Sequence, residues 1–545
     1  MYKKRILMCG ESSHIDSGFG NYTRELLSRL HATDKYVVAE LSSYRSHTRP
    51  KIEPWIVYPA SVDTTDPLYE EFSRNVGNQF GQWRFDFALL DFKPDIVLDI
   101  RDFWMYSFQE TSPLRPFYYW IIGPTYDSIP QKSDSINMFN TADLVVFHTN
   151  WAKKDLESKN YFNKINIGDV VSDSVNSEVF KPIGYSKSVH KNKFNIPHNA
   201  FIIGSVMRNQ KRKLIPELFD VLSTVIKNNP EKEVFLYLHT SYPEQTGWDI
   251  PNLLLEYNVT SNVLFTYVCM DCRHHFPGVF KDSVSVCPSC KKKSVTMTSV
   301  TNGITQKQLN EIYNLFDVYV QYSICEGFGI PQVEAASCGI PLITMDHGAM
   351  SDVGKTLGAS IVDIQKEYKE LETGSNRVYP NNNTCVLYIQ KYLDSSLLDS
   401  RRTSNNIRKL LIENYSWDKT AKKFEDIFDN LEMTGLQGKW ESPILDTQPK
   451  NMVHDISNNR EFIYYIIDNL IMSDYLKSTF FVEELIRSLD SGVVVSNNQN
   501  MKFTKKDALK ILEIHLNNKI SLEMMRTGIV GMPEKMESFI KYSRL

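Results

Sequence analysis

Three groups of residues in this chain have the types and spacing that chemistry needs. The first is the run Glu326-Gly-Phe-Gly-Ile-Pro-Gln-Val-Glu334-Ala-Ala-Ser-Cys-Gly339-Ile-Pro341. Gly327 and Gly329 allow a sharp turn and a close backbone approach to a ligand. Pro331 suits the first turn of a short helix, and Gly339 with Pro341 ends it. Free N–H groups at such a helix start can hold phosphate oxygens. Carboxylates at the mouth of the same loop can accept hydrogen bonds from sugar and ribose hydroxyls. A plainer alternative makes Glu326 a solvated loop residue and Glu334 a partner of the helix dipole.

The second group is basic: Gly204-Ser-Val-Met-Arg208-Asn-Gln-Lys-Arg-Lys213. An arginine offers a planar fork to phosphate oxygens and a lysine a point charge. Taken alone, the Lys-Arg-Lys run is a solvated turn. The third group is Cys269-x-x-Cys272 with Cys287-Pro-Ser-Cys290. Paired knuckles at this spacing suit tetrahedral thiolate coordination of Zn²⁺, and four thiolates leave no open position, so the metal is expected to be structural. A redox role is the alternative, but neither pair opens a thioredoxin-like helix. His274 and His275 read as surface residues rather than ligands. The remaining cysteines, Cys9, Cys325, Cys338 and Cys385, are scattered, which fits a reduced compartment.

These groups need elements to position them. Short apolar runs at Arg5–Gly10, Tyr36–Leu41, Asp95–Ile100, Phe117–Gly123 and Leu144–His148 alternate with helical periodicity. Such near-continuous apolar strands point to a parallel sheet covered on both faces. A polar stretch at 183–197 reads as an interdomain linker. The alternation then restarts with Phe201–Met207, a helix opened by Pro216, Val234–His239, Val263–Val268, a helix capped by Thr305-x-x-Gln308, Val318–Tyr322 and Leu342–Met345. The basic turn follows the first of these strands and Glu326 follows Val318–Tyr322. Two doubly wound units would leave a cleft between the carboxyl ends of their sheets, where ligands of such folds bind. Beyond 436 only helical signals occur, at 460–472, 479–489 and 505–516, the last capped by Thr504-x-x-Asp507.

A chain of 545 residues exceeds one core. Its net charge of −4 excludes a polycation, so nucleic-acid contact would need a local basic patch. No apolar run approaches a membrane span and the N-terminus lacks a signal-peptide pattern, so the expectation is a soluble, cytoplasmic protein.

The run from Glu326 to Pro341 resembles the family-4 (group 1) glycosyltransferases of the GT-B fold, whose hallmark is a Glu, seven residues and a second Glu. The resemblance implies that Glu326 contacts the donor sugar and Glu334 the nucleotide ribose. Gly327, Phe328 and Gly329 lie in the same donor loop. It also implies that Arg208 and Lys213 neutralise the donor diphosphate. Weaker likeness extends over about residues 5–432. Ser17-Gly18-Phe19-Gly20 stands where the family keeps small residues near the donor phosphates, and Tyr415-Ser-Trp417 precedes a helix similar to one that crosses back onto the first domain. The family often carries a His after a first-domain strand. Here the loop reads Gly123-Pro-Thr-Tyr126-Asp127, and Asp127, with Asp102 as competitor, takes the catalytic polar contact. His148 reads as structural.

The resulting expectation is an α/β GT-B protein. It has an acceptor-side Rossmann-like domain over 1–190 and a nucleotide-sugar-binding domain over 198–432. A zinc ribbon is inserted at 269–292, and a helical extension covers 436–545. The expected activity is glycosyl transfer from an NDP-sugar, with retention and without a catalytic divalent cation, to a glycan, protein or small-molecule acceptor. A phosphorylase or epimerase is a rival. Another is a nucleic-acid-binding protein or a DNA- or RNA-directed glycosyltransferase that uses the ribbon, whose Arg273, Lys281 and Lys291–Lys293 are basic.

Overall fold

The computed structural model describes residues 2–159, 165–281, 286–299, 302–440, 457–467, 480–496 and 499–517. The first unit is built on a parallel sheet of seven strands: β1 (Arg5–Glu11), β2 (Val37–Ser46), β3 (Ile56–Ser61), β4 (Ile96–Ile100), β5 (Tyr119–Gly123), β6 (Leu144–Phe147) and β7 (Ile167–Val170). Their order is β3-β2-β1-β4-β5-β6-β7. Ile6–Cys9 and Ile96–Leu98 are buried on both sides of the sheet, as a layer covered by helices requires. The five expected strands are present. The two that sequence patterning missed are the edges: β3 contains Pro59, which argues against a strand except at a sheet edge, and β7 buries little.

The second unit repeats the plan. Its strands are β8 (Phe201–Val206), β9 (Val234–His239), β10 (Val263–Cys269), β11 (His275–Gly278), β12 (Val295–Met297), β13 (Val318–Gln321), β14 (Leu342–Met345) and β15 (Ser360–Val362). The order β11-β10-β9-β8-β13-β14-β15 has β12 also paired to β10. In each sheet the chain winds outward from its first strand and then crosses to that strand's other side. The two switch points, β1/β4 and β8/β13, open crevices at the carboxyl ends of the strands.

The segment read as a linker is not free. Ser186 caps a helix over Lys187–Lys193, and the Lys191 ammonium is buried 2.6 Å from Asp317 Oδ2 and 2.7 Å from the Ala200 carbonyl. A lysine at this depth needs that carboxylate, which pins the segment to the second unit. The return helix, Trp417–Asn430, packs Trp417 edge-on to Tyr22 with ring centroids 4.9 Å apart. Phe424 and Phe428 join the core formed by Ile6, Leu26 and Leu27. A hairpin of β16 (Ile364–Lys369) and β17 (Asn376–Pro380) reaches the opposite way: Asn376 N donates to the Ile129 carbonyl at 2.8 Å.

In the C-terminal region, helices cover Asn459–Ile466, Phe480–Ser491 and Lys505–Asn517, and Thr504 makes the expected contact with Asp507. Residues 468–472 and 479 of the expected helices lie outside the described residues. The region is not helical only: β18 (Val493–Ser496) and β19 (Gln499–Lys502) form a hairpin. Four-residue strands are too short to show a period of two in sequence. Trp440 stacks on Phe117 at 5.2 Å and donates to the Pro94 carbonyl at 2.8 Å. Phe462, Phe481, Leu485 and Phe503 are buried in a cluster continuous with the first unit's core.

Candidate active site

The basic turn leaves β8 and the Glu326 loop leaves β13, so the second sheet's switch point brings the two sequence motifs together. The pairing is tight. Glu326 is buried, and its Oε1 meets the Lys213 ammonium directly. Arg212 Nη1 lies 3.1 Å from Glu326 Oε2, and Gln321 Nε2 donates to Oε1 at 3.3 Å. Burial by itself would raise the Glu326 pKa, but Lys213 and Arg212 outweigh it and hold the carboxyl at about 2. Burial lowers the Lys213 pKa, with Glu326 opposing and Arg212 adding to the fall. Arg212 was not among the residues singled out by sequence, although it stands inside the same Lys-Arg-Lys run. Its guanidinium also holds the Cys325 carbonyl at 2.9 Å, fixing the loop's entry.

Arg208 is placed apart from this cluster. Its side chain is half exposed and lies along Glu244, with Nε 3.2 Å from Oε1 and Nη2 3.3 Å from Oε2. Glu244 is itself oriented by the Ser241 hydroxyl at 2.7 Å.

The loop's shape follows from its glycines. Gly329 takes φ +92 and caps the helix Ile330–Ser337, with Pro331 in its first turn. A Cβ on Gly327 would stand 2.4 Å from Thr125 Cγ2. The Glu326 loop therefore presses directly on the first unit. Phe328 contributes backbone only, because its ring is buried against Tyr415, 5.5 Å away. Glu334 lies one helical step behind, buried, and accepts a 2.6 Å hydrogen bond from the Tyr313 hydroxyl. Burial raises its pKa to about 7, only partly offset by that bond.

Across the cleft, the loop after β5 carries Thr125 and Asp127. Asp127 Oδ1 accepts from the Ser128 hydroxyl at 2.6 Å, and its carbonyl accepts from Arg377 of the β16–β17 hairpin at 3.0 Å. Asp102, just after β4, is raised by burial, with a Thr125 hydrogen bond opposing and Asp127 adding to the rise. Both candidate aspartates thus face Arg212 and the Glu326 loop. In the loop after β1, Ser17 accepts from Gly20 N at 3.0 Å, and a Cβ at Gly20 would meet the Ile15 carbonyl at 2.4 Å. Gly18 has open space around its missing side chain. His148 is buried, with Nδ1 3.4 Å from Asp173 and its ring edge-on to Tyr22, a structural setting.

A model of the glycosyl transferases group 1 family matches residues 289–391, the stretch that holds the Glu326 loop, Glu334 and the β16–β17 hairpin. That stretch is therefore similar to the group 1 glycosyltransferases. An uncharacterized glycosyltransferase of Methanocaldococcus jannaschii is 28% identical over 145 residues, covering 26% of this chain and 33% of that protein. The chain spans a third or less of the length of the curated relatives it matches. Among solved structures, sucrose-phosphate synthase from Thermosynechococcus elongatus aligns with TM-score 0.55 and 16% identity, over 78% of this chain and 98% of that one. Anabaena HepE, solved with UDP and glucose, aligns with TM-score 0.53 and 11% identity, over 78% and 100%. One parallel and one mainly parallel sheet, each flanked by helices, with these neighbours, make the fold GT-B.

The matched stretch begins inside the second cysteine knuckle. Cys269, Cys272, Cys287 and Cys290 place their sulfurs within 4.8 Å of one another. Cys269 and Cys290 are 3.6 Å apart, as are Cys272 and Cys287. Disulfides need about 2.05 Å, whereas ligands about 2.3 Å from a tetrahedral metal stand roughly 3.8 Å apart. The two knuckles match: Arg273 N and Lys291 N donate back to the first cysteine carbonyl of each, at 2.9 and 3.0 Å. Both residues take left-handed φ, +58 and +64. The cluster is less of a loop insertion than the spacing suggested. β10, parallel to β9, runs on into the first knuckle and pairs antiparallel with β11 and β12. His275 is not a surface residue: it is buried, with Nε2 3.2 Å from Glu311.

Among the described residues, no helix is long and apolar enough to cross a membrane.

Proposed function

We propose that the chain transfers a glycosyl group from a nucleoside-diphosphate sugar to an acceptor held by the first unit. The observation that carries this reading is the Lys213–Glu326–Arg212 cluster at the switch point of the matched domain, facing Asp102 and Asp127 across the cleft. Arg208, Lys213 and the N–H groups at the start of Ile330–Ser337 would neutralise the diphosphate as it leaves, the largest charge that develops in such a step. Glu326 would accept hydrogen bonds from donor-sugar hydroxyls, with Lys213 and Arg212 keeping it ionised. Glu334 would receive the ribose hydroxyls, Gly18 and Gly20 would leave room near the phosphates, and Asp127 would supply the first-unit contact to the reacting sugar. Retention of anomeric configuration is the outcome that the family resemblance favours. A soluble, cytoplasmic setting fits a chain that takes its donor from solution.

The cysteine cluster would hold one structural Zn²⁺, since four thiolates complete a tetrahedral shell. Of its basic residues, Lys292 is paired with Asp271 at 2.9 Å, and nothing in the ribbon favours nucleic acid over a structural role.

A thermal-shift screen of UDP-, GDP-, ADP- and dTDP-sugars tests the donor assignment, because a ligand stabilises the fold in proportion to its occupancy. The HepE complex puts UDP first. No stabilisation by any of the four would overturn the reading. Nucleotide release measured with and without acceptor separates transfer from a phosphorylase or an epimerase.

A further inference from the structure

At the carboxyl end of the first sheet, two large rings stand out of the protein. Tyr44, in β2, is 42% exposed, and Trp104, two residues beyond Asp102, is 50% exposed. Both rest edge-on against Phe80, with ring centroids 6.2 Å apart at 81° for Tyr44 and 5.0 Å at 85° for Trp104. Phe80 is a rigid base. It is buried, and its carbonyl accepts a 2.8 Å hydrogen bond from Arg101, which is itself locked to Asp99 at 2.7 Å.

Tyr44 holds φ +62, a left-handed conformation that an aromatic residue avoids. Backbone strain of this sort collects at binding sites, where surrounding structure sustains it for a purpose. Glu11 ends β1 in register with Ser43 of β2, the residue before Tyr44, and after burial its charge is the next cause that raises the Tyr44 hydroxyl pKa. Asp102 in turn neighbours Asp127 and Arg212, the arginine paired with Glu326. The rings therefore continue the donor site along the first unit's rim.

We propose that Tyr44 and Trp104 form an acceptor platform, and that the acceptor is an uncharged pyranoside; this rests on the glycosyl-transfer reading. A pyranose presents an apolar C–H face to an aromatic ring and a belt of hydroxyls to carboxylates, which is the mixture this rim supplies. Charge argues against a phosphorylated or nucleic-acid acceptor. Glu11 stands beside β2 and Asp102 two residues before Trp104, with Asp127 acting on Asp102, while the guanidiniums of Arg45 and Arg101 are buried and neutralised by Glu53 and Asp99. In the transfer itself, the acceptor oxygen bonds to the donor's anomeric carbon. The bond from that carbon to the diphosphate breaks with its electron pair leaving on phosphate, and the hydroxyl proton passes to that phosphate oxygen.

The test uses the full chain with saturating UDP and a panel of methyl β-glucopyranoside, methyl α-mannopyranoside, N-acetylglucosamine and a short single-stranded oligothymidylate. Saturation-transfer NMR should show binding of at least one pyranoside. Trp104→Ala and Tyr44→Gly should each weaken it by about three- to tenfold, the loss of one stacking contact of roughly the size seen for aromatic pairs. Glycine accepts the left-handed backbone at position 44, so that variant should fold. UDP affinity and acceptor-independent hydrolysis of the UDP-sugar should stay within about twofold of wild type. Binding of no pyranoside, equal binding by both variants, or binding of the oligonucleotide alone would each overturn the platform. Loss of UDP binding and donor hydrolysis in wild type, with pyranosides still bound through Trp104, would instead overturn the transfer reading and leave the platform standing.

Discussion

Lys213 and Glu326 form a buried ion pair across the switch point of the second sheet, although 113 positions separate them in the chain. The pair anchors the basic turn after β8 to the Glu326 loop after β13. Under the proposed reading, any charge that Lys213 gives to a donor phosphate is drawn from Glu326, which Arg212 and Gln321 also contact.

Removing one member should therefore harm the fold, which an exposed basic turn would not. Lys213→Ala leaves a buried carboxylate short of a partner, and such breaks cost about 3–5 kcal/mol, here tempered by Arg212. The double variant Lys213→Met with Glu326→Gln should recover part of the loss, a coupling of roughly 1–3 kcal/mol. Chemical denaturation of the single and double variants measures it. Strictly additive losses would mean the pair contributes nothing as a pair. Glu326→Gln alone should lower turnover while leaving affinity for free nucleoside diphosphate nearly intact, because the proposed role puts its hydroxyl contacts on the sugar.

Arg208 should behave differently from Lys213. It is half exposed, and its half-buried partner Glu244 keeps the Ser241 hydrogen bond, so Arg208→Ala should change stability by no more than about 0.5 kcal/mol. Donor binding should fall by roughly 10- to 150-fold, the worth of one charge-assisted phosphate contact of about 1.5–3 kcal/mol. Glu244→Gln releases the guanidinium and should leave nucleotide affinity unchanged or improved. Titration calorimetry with the nucleoside diphosphate reads both, and wild-type affinity in Arg208→Ala would remove Arg208 from the site.

Glu334 should make stability and nucleotide binding depend on pH. Its folded pKa, near 7, lies above the ordinary carboxyl value, so the folded protein binds the proton more tightly than the unfolded chain does. The corresponding stability is present at pH below about 4.5 and is lost as pH rises through about 7, on the order of 3–4 kcal/mol at one pKa unit per 1.4 kcal/mol. Glu334→Gln should flatten that decline. Ribose hydroxyls favour the ionised carboxylate, so nucleotide binding should release a proton and tighten from pH 6 to 8 in wild type but not in the variant. Calorimetry in buffers of different ionisation heat checks this; equal proton release in both would take Glu334 out of the ribose site.

One equivalent of zinc should accompany protein purified without chelator. Because β10 itself runs into the first knuckle, stripping the metal should raise hydrogen exchange through β11 and β12 as well as in the knuckles. The donor turn around 204–213 should remain protected. Elemental analysis without zinc, or exchange unchanged after chelation, would refute the assignment.

The sequence by itself determined the parallel sheets, since apolar runs such as Ile6–Cys9 and Val318–Tyr322 can only be buried on both faces. It determined the turn of the Glu326 loop into its helix as well, because Gly329 and Pro331 set the backbone locally. The cysteine spacing likewise carries its own geometry. What only the tertiary structure decided are properties of partners far apart in the chain. Lys213 and Arg208 look equivalent in sequence, yet burial on Glu326 and exposure beside Glu244 separate them. Glu334 reads as an ordinary helix carboxylate until the depth of its helix and the Tyr313 hydroxyl raise its pKa. The edge strands β3 and β7, the hairpins, and the pinning of Lys191 by Asp317 have no local period to announce them. The exposed rings of Tyr44 and Trp104 gain meaning only from Phe80 beneath them and from Glu11 and Asp102 beside them, a neighbourhood that the crossing at β1/β4 creates.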